Sequence, residues 1–349
     1  MDRPLGRRLT SHRLGAPARD AITAAEHMLA VQAQDFVGGR WALAVRTQGE
    51  PTLAALDGLF DAGLLIRSWT MRGTLHIVPA ADLRWILRAT GDRQLARATP
   101  VLRREGVDET VLEQAGVAAR KALADARRMT RADLFAVWDA AGIPTTGQRG
   151  YHLLSALAVR GVLCLGPLQD RPSGAGREQT VVLVEDLDTA SADPADPVVE
   201  LVVRYLRGHG PATARDAAWW TGLSLTVVRE AIGRAEGRVA VWRDGADPLY
   251  IDPDPPPSAP SPRVFALPPF DEYYLSYDDR SIACATAHLD RVGPSKNGMV
   301  RAVIVAGGRV AGLWVPARGA KGIELLDADL LTAAEARAAV DRFTAFRAA

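Results

Sequence analysis

The sequence predicts an α+β protein, because segments with helical periodicity and segments typical of β-hairpins follow one another three times. The helical segments, in which apolar residues recur at close to helical spacing, occupy 17–34, 111–126 and 196–210. The hairpin segments, in which apolar and polar residues alternate, occupy 64–79, 161–186 and 238–252. A stiff, proline-rich stretch at 252–263 then precedes a C-terminal part that is rich in strands.

The first helix–hairpin segment covers residues 1–99. We expect Thr10 or Ser11 to cap a helix, since short hydroxyl side chains accept from the free N–H groups of a first turn. The hairpin is expected to turn near Met71–Gly73, and the helix that follows it is expected to end at Gly91.

The second segment, 100–190, shows the same order most clearly. Three helices, one of them capped by Thr130, precede two strands joined by a Gly- and Pro-rich tip at 169–178. A group of helices followed by a hairpin, the wing, is the order of elements in a winged helix. We therefore expect three tandem winged-helix units.

The third segment, 191–252, repeats this order with Thr213 as an N-cap and Gly222 between two helices. The last segment, 263–349, is expected to form a C-terminal β-rich domain with a terminal helix. Its strands are predicted to begin with residues 264–280 and to continue around a Gly307–Gly308 turn.

Composition indicates an ordinary soluble globular protein. Of 349 residues, 48% are hydrophobic and 24% are charged. No apolar run approaches the roughly 20 residues that span a bilayer, and the basic N-terminus lacks the apolar stretch of a secretory signal. Two distant cysteines, Cys164 and Cys284, fit a reducing compartment. The prediction is a cytoplasmic protein, associated with the nucleoid, without a membrane partner and monomeric.

Charge is unevenly distributed along the chain. Residues 1–160 carry 22 Lys and Arg against 16 Asp and Glu, a balance of +6, whereas residues 161–349 carry 20 against 25, a balance of −5. A polyanion is therefore attracted to the N-terminal part. Nearly all these cations are arginines, which suit bidentate phosphate contacts but also accumulate in proteins from GC-rich genomes.

Most familiar catalytic motifs are missing. The sequence contains no glycine-rich dinucleotide motif after a strand, no phosphate-binding loop, no zinc-protease helix motif and no nucleophile elbow. Its histidines are dispersed, and no calcium-loop spacing is present. We therefore expect no metal and no cofactor.

One short motif stands out among these absences. Gln32 and Gln34 flank a small apolar residue in AVQAQDF, ahead of the glycine pair Gly38-Gly39. This Q-x-Q pattern gains weight beside RGTLHIVPAADL at 72–83, the tandem helix–hairpin units, and PFDEYYLSYDDR at 269–280. Together these features resemble the winged-helix DNA glycosylases of the AlkZ kind. A related branch, the YcaQ-like enzymes, has Q-x-D at this place, so the second glutamine favours the AlkZ-like branch.

The resemblance implies hydrolysis of the N-glycosidic bond of cationic N7-alkylated purines, cross-linked ones included, with Gln32 and Gln34 as the catalytic residues. The chemistry is consistent, because a cationic purine leaves as a neutral base without being protonated. A glutamine carbonyl can orient a water molecule and face the developing positive charge of the sugar. It cannot act as a general base at neutral pH, so such a site is suited to activated bases alone.

The implied partner is double-stranded DNA that contains alkylated purines. Candidate DNA-binding residues come from three places: near the glutamines, on the first hairpin, and in the second segment. They are Arg40, Arg46, Arg72, Thr74, His76, Arg149, Arg171 and Arg177. Three tyrosines of the 269–280 motif either stack on a base or pack in the core.

Two other functions remain open from the sequence. A non-catalytic winged-helix transcriptional regulator would recognise an operator and would not need Gln32. A protein-interaction scaffold would not hold DNA at physiological salt, whereas phosphate contacts would make DNA binding fall steeply with salt.

Overall fold

The computed structural model describes residues 3–171, 173–174, 176–188, 190, 193–257 and 264–348. The chain divides into two compact units. One is formed by Met1–Leu56 together with Val198–Ala349, and the other by Asp57–Pro197. We refer to them as the terminal unit and the central unit.

Helices dominate the N-terminal part of the terminal unit. Its elements are α1 (Arg3–Ser11), α2 (Ala21–Met28), β1 (Val31–Gln32) and α3 (Phe36–Ala44), and α4 (Leu53–Asp61) then leads into the central unit.

In its described residues, the central unit contains two β-hairpins and four α-helices after α4. In chain order these are β2 (Leu65–Met71), β3 (Thr74–Pro79), α5 (Leu83–Arg104), α6 (Glu109–Ala126), α7 (Arg131–Ala140), α8 (Arg149–Val159), β4 (Leu163–Asp170) and β5 (Arg177–Leu183). The hairpins join side by side in one antiparallel sheet, in the order β3-β2-β4-β5. Trp69, Trp138 and Leu157 belong to the apolar core that these helices and strands enclose.

The terminal unit resumes with a third helix group and a hairpin, followed by an antiparallel sheet of four strands in the order β11-β10-β9-β8. The elements are α9 (Pro197–His209), α10 (Ala214–Thr221), α11 (Leu225–Gly233), β6 (Ala240–Arg243), β7 (Leu249–Ile251), β8 (Val264–Leu267), α12 (Glu272–Leu275), α13 (Leu289–Val292), β9 (Ala302–Ala306), β10 (Arg309–Val315), β11 (Gly319–Leu325) and α14 (Ala333–Ala348). On α14, Phe343 contacts Trp41 and Trp314, which lie on α3 and β10.

This order of elements confirms the predicted α+β fold, in which helices and hairpins alternate before a β-rich C-terminal part. Local chemistry is confirmed as well: Thr130 and Thr213 each close a capping box, and Gly222 ends α10 with a φ of 73°. The Gly307–Gly308 turn joins β9 to β10. The four predicted segment ranges stay a prediction, and residue 99 lies inside α5 rather than at a break.

Three local predictions are wrong. Gly91 does not end its helix, because α5 continues to Arg104. A Cβ added at Gly91 would lie 3.2 Å from the Val159 carbonyl oxygen, which explains why a residue without a side chain is found at this position. Thr10 and Ser11 lie at the end of α1, and Asp20 is the cap of the next helix. Only the first part of 264–280 forms a strand, since residues 272–275 are a short helix. The end of the proline-rich stretch, 258–263, lies outside the described residues.

A buried histidine gives the terminal unit a pH-dependent stability. His27 Nε2 donates to the Ser11 carbonyl 2.7 Å away, and its other ring nitrogen lies 3.3 Å from Arg13 Nη2. Burial, with Arg13 as the next cause, lowers the pKa of His27 to about 3. The folded state therefore keeps this ring neutral at a pH where an unfolded chain would protonate it.

We expect acid to destabilise the protein through His27. Its folded pKa lies below the unfolded value of about 6.5, so its contribution to stability is complete above that value and decreases as the pH falls toward 3. At pH 5 the loss amounts to about 2 kcal/mol. His27→Gln, which can still donate to Ser11, should show a smaller drop in melting temperature between pH 7 and pH 5 than the wild type. Equal drops in the two proteins would contradict this assignment.

Candidate active site

The Q-x-Q segment joins α2 to α3 in the terminal unit. Leu29 follows α2 with a φ of 64°, a conformation that non-glycine residues adopt rarely, and the chain then extends through β1. Asp35 caps α3 by accepting the Val37 N–H at 3.1 Å, as its position before the helix suggests. Gly38 leaves room for this cap, since an added Cβ would lie 2.8 Å from Asp35 Oδ2.

The two glutamines differ in their access to solvent. Gln34 is exposed, whereas Gln32 is only 6% exposed. The segment is therefore not sealed inside the protein, because one of its two amide side chains can reach a ligand. The other is nearly buried.

The backbone of Gln32 is held by a residue 240 positions away. Its N–H donates to Glu272 Oε1 at 2.7 Å, and this contact is buried. Glu272 lies at the start of α12 with its side chain wholly inaccessible to solvent. The C-terminal motif at 269–280 thus forms part of the support of the Q-x-Q segment.

The other carboxylate oxygen of Glu272 is also engaged. Trp220 Nε1 donates to Oε2 at 2.7 Å, and Ser276 Oγ donates to the same atom. His209 Nε2 lies 3.6 Å from it. Helices α9, α10 and α12 therefore meet around one buried acidic group.

The far end of α3 is held in the same way. Arg46 donates from Nη2 to Asp271 Oδ1 at 2.7 Å and from Nη1 to Asp271 Oδ2 at 2.9 Å, a bidentate ion pair. Its Nη1 also donates to the Ala42 carbonyl at 2.8 Å. Consecutive acidic residues, 271 and 272, thus bind the chain at positions 46 and 32.

This geometry corrects the prediction that Arg46 contacts DNA. Arg46 is 0% exposed, and its guanidinium group is directed at Asp271. Arg40, the other arginine predicted near the glutamines, is also buried. It packs with its guanidinium carbon 3.9 Å from the centre of the Phe36 ring, and its Nε donates to the Phe36 carbonyl at 3.3 Å.

The first hairpin has the predicted turn, but one of its three candidate DNA-binding residues is buried. Arg72 and Gly73 both have positive φ, as a tight turn between twisted strands requires. His76 is fully buried, and its Nδ1 lies 3.0 Å from Thr70 Oγ1 and 3.1 Å from the Thr74 carbonyl. The prediction for His76 is therefore wrong. Arg72 and Thr74 are half-buried and stay candidates.

Two of the three arginines predicted on the second segment have structural partners. Arg149 donates to the carbonyls of Glu105, at 2.9 Å, and of Pro144, which fixes the loop before α8. Arg177 lies among the carboxylates of Asp57, Asp61 and Asp170, at 3.8, 2.8 and 3.6 Å. The charge of Arg177 is thus offset by carboxylates, and donors of Arg149 are occupied by carbonyl groups, so neither residue is well placed to bind a phosphate.

Arg171, by contrast, is exposed on the loop between β4 and β5. It stays a candidate for a phosphate contact. Gln32, Gln34, Arg40 and Arg46 lie in the terminal unit, and the other candidates lie in the central unit.

The sequence did not identify the residues that bind Gln32 and Arg46. Asp271 and Glu272 were visible only as members of the 269–280 motif, and nothing local shows which distant groups they bind. The tyrosines of this motif, Tyr273, Tyr274 and Tyr277, are buried and pack in the core. Among the described residues, no group of three or more His, Cys, Asp or Glu side chains could hold a metal ion.

Comparison with solved structures shows the same fold in a DNA glycosylase. AlkZ from Streptomyces sahachiroi superimposes on 98% of this chain and 95% of its own, with a TM-score of 0.77 and 20% sequence identity. An interstrand DNA cross-link repair glycosylase from the same organism is 28% identical over 275 residues, which cover 72% of this chain and 70% of that protein.

The family follows from a match to most of the sequence. The model of the AlkZ-like DNA glycosylases matches residues 25–346, a range that includes both glutamines and the 269–280 motif. The chain belongs to this family and is a DNA repair enzyme, a hydrolase of N-glycosyl bonds in DNA. The resemblance seen in the sequence is confirmed. In the described part of the chain, no helix has the length and apolar character needed to cross a membrane.

The structural role of Arg46 can be tested with a pair of variants. Arg46→Met leaves the Asp271 carboxylate buried without its cation, so we expect a loss of about 3–5 kcal/mol in the free energy of unfolding. Adding Asp271→Asn removes that lone charge and should recover part of the loss. Melting curves of the single and double variants measure both effects.

DNA binding serves as the control for this pair. Because Arg46 is inaccessible, the folded single variant should bind duplex DNA within about twofold of the wild type, a difference of less than 1 kcal/mol. A variant with unchanged melting and lost binding would instead assign Arg46 to the DNA contact.

Proposed function

We propose that this enzyme is a monofunctional DNA glycosylase that removes cationic N7-alkylated purines, with a water molecule oriented by Gln34 and Gln32. The observation that carries the proposal is the exposed Gln34 amide, which extends from a rigidly held segment of a chain in the AlkZ-like family. Neutral amides match a reaction in which the leaving base is already activated.

The two glutamines have different parts in this proposal. Gln34, being exposed, places its carbonyl oxygen against the attacking water and the positive charge that develops on the sugar. Gln32 is nearly buried, so in this proposal it restricts the position of that water from the protein interior. Neither amide removes a proton at neutral pH, which limits the enzyme to bases that leave readily.

Covalent lyase chemistry is not part of the proposal. A Schiff base requires an amine nucleophile, and residues 1–120 contain no lysine at all. Asp35, the carboxylate adjacent to the motif, is bound to the Val37 N–H as a helix cap. Water is therefore the nucleophile that we assign.

Cross-linked purines are a second substrate class in this proposal. The relative from Streptomyces sahachiroi is named for interstrand cross-link repair, and this chain shares 28% identity with it over 275 residues. A purine joined to the opposite strand cannot be freely flipped into a closed pocket. An exposed catalytic amide such as Gln34 is compatible with a base that stays near the duplex.

The test is release of free base from a duplex containing one N7-methylguanine, under single-turnover conditions. The wild type should release the base and leave an intact abasic strand that breaks only after alkali treatment. Gln34→Ala should lower the rate constant by about 10²-fold, as loss of one transition-state contact does. Gln32→Ala should also lower it.

Matched controls show whether base release depends on the Q-x-Q motif and on the charge of the base. Gln48→Ala removes another exposed glutamine of the terminal unit, one that donates to the Pro17 carbonyl, and it should keep the wild-type rate. A duplex with uracil, an uncharged base, should stay intact. A duplex with an N7-linked interstrand cross-link tests the second substrate class. Intact DNA with several N7 adducts would contradict the proposal that cationic N7-alkylated purines are the substrates.

A further inference from the structure

We propose that Glu272 is a positioning residue for the Q-x-Q motif, and that its Oε1 sets the place of Gln32 by accepting the backbone N–H of that residue. This inference rests on the proposed function of the glutamines. It assigns a role to an acidic residue that neither the motif nor the reaction chemistry identifies.

The first argument is the burial of a charged group. Glu272 is 0% exposed, and a carboxylate moved out of water costs much unless other groups bind it. Its donors include the Gln32 N–H, the Trp220 indole and the Ser276 hydroxyl. Of these three, only the Gln32 N–H belongs to the catalytic segment. The other two donate to Oε2 and not to Oε1, the oxygen that binds Gln32.

The second argument is that the catalytic segment is fixed on both sides. Oε1 of Glu272 binds it at residue 32, and the neighbouring Asp271 binds it at Arg46 beyond α3. Between these points, the Trp41 indole donates to the Ala266 carbonyl at 2.7 Å. The segment that presents Gln34 is thus tied to the C-terminal part of the terminal unit at three places.

The third argument is local backbone strain. Leu29 and Phe270 have φ values of 64° and 63°, although both carry bulky side chains that disfavour this region. Leu29 lies shortly before Gln32 in the chain, and Phe270 lies shortly before Glu272. Strain of about 1–3 kcal/mol persists only where the surrounding structure fixes the conformation, and it concentrates at functional sites.

The reaction requires the glutamines to be held within a narrow range of positions, which explains why Glu272 would be needed to fix the backbone of Gln32. A group that orients water must be held within about 0.5 Å, and a misplacement of about 1 Å can cost 10²-fold in rate. Gln32 ends a strand of two residues and Gln34 lies beyond it, and so short a strand does not provide this rigidity by itself. A buried acceptor at the start of the motif can.

Two substitutions separate the role of Glu272 as a hydrogen-bond acceptor for Gln32 from the role of its negative charge. Glu272→Asp keeps the charge but withdraws the oxygen by one methylene, so the contact with Gln32 is lost. Glu272→Gln loses the charge, but its carbonyl oxygen can still accept from Gln32 while its amide donates to Ser276. The Gln variant also carries Trp220→Phe, because the Trp220 indole N–H donates to Oε2 and would otherwise face the new amide N–H. We expect the Asp variant to release N7-methylguanine at least about tenfold more slowly and the Gln variant to stay within about threefold of the wild type.

Binding affinity and a third variant exclude a general loss of structure. Both Glu272 variants should bind the damaged duplex within about threefold of the wild type, so that the effect falls on the rate constant alone. Ser276→Ala removes a donor to Oε2 and leaves the contact with Gln32 intact. It should lower the melting temperature without slowing base release, measured well below that temperature.

Hydrogen exchange provides a measurement that does not depend on activity. The amide hydrogens of the peptide that spans residues 30–36 should exchange faster in Glu272→Asp than in the wild type. Their exchange rate should be unchanged in Glu272→Gln. If the wild type itself releases no base, the proposed function fails, and exchange still decides the positioning of Gln32. An Asp variant with wild-type rate and exchange, or a Gln variant as slow as the Asp variant, would overturn the proposal.

Discussion

Two consecutive buried carboxylates, Asp271 and Glu272, organise the terminal unit of this enzyme. One binds Arg46 in a bidentate ion pair and the other binds the backbone of Gln32, so a motif near the C-terminus fixes both sides of α3. Buried charges of this kind are costly unless each has partners. Here the partners lie on the segment that carries the two glutamines, which links the stability of the fold to the geometry of the site.

Gln32 and Gln34 differ in their exposure to solvent, and this difference bears on the chemistry that we propose for the site. A nearly buried amide, whose backbone N–H is bound by Glu272, lies near an exposed amide in the sequence. Neutral amides contribute oriented dipoles rather than proton transfer. In the proposed mechanism, this limits the enzyme to bases that are already charged, because only these leave fast enough without proton transfer.

Much of the fold could be predicted from local patterns. The capping boxes at Thr130 and Thr213, the glycine turns and the helix–hairpin order depend on neighbouring residues alone. The arginines could not be predicted in this way, because the role of Arg46 is set by Asp271, 225 positions away, and that of Arg177 by Asp61, 116 positions away. Likewise, the buried state of His76 depends on how its strand packs. Gln32 and Gln34 were found through a family motif, whereas Glu272 required the structure.

The central claim is that uncharged amides face the positive charge of the reaction. A crystal structure of the wild type with a duplex that carries a pyrrolidine abasic nucleotide, whose protonated nitrogen imitates the sugar cation, tests it most directly. We predict the Gln34 carbonyl oxygen at about 2.7–3.2 Å from that nitrogen or from a water bound to it, with the Gln32 N–H still on Glu272. A carboxylate in contact with the pyrrolidine, with Gln34 directed elsewhere, would contradict the account.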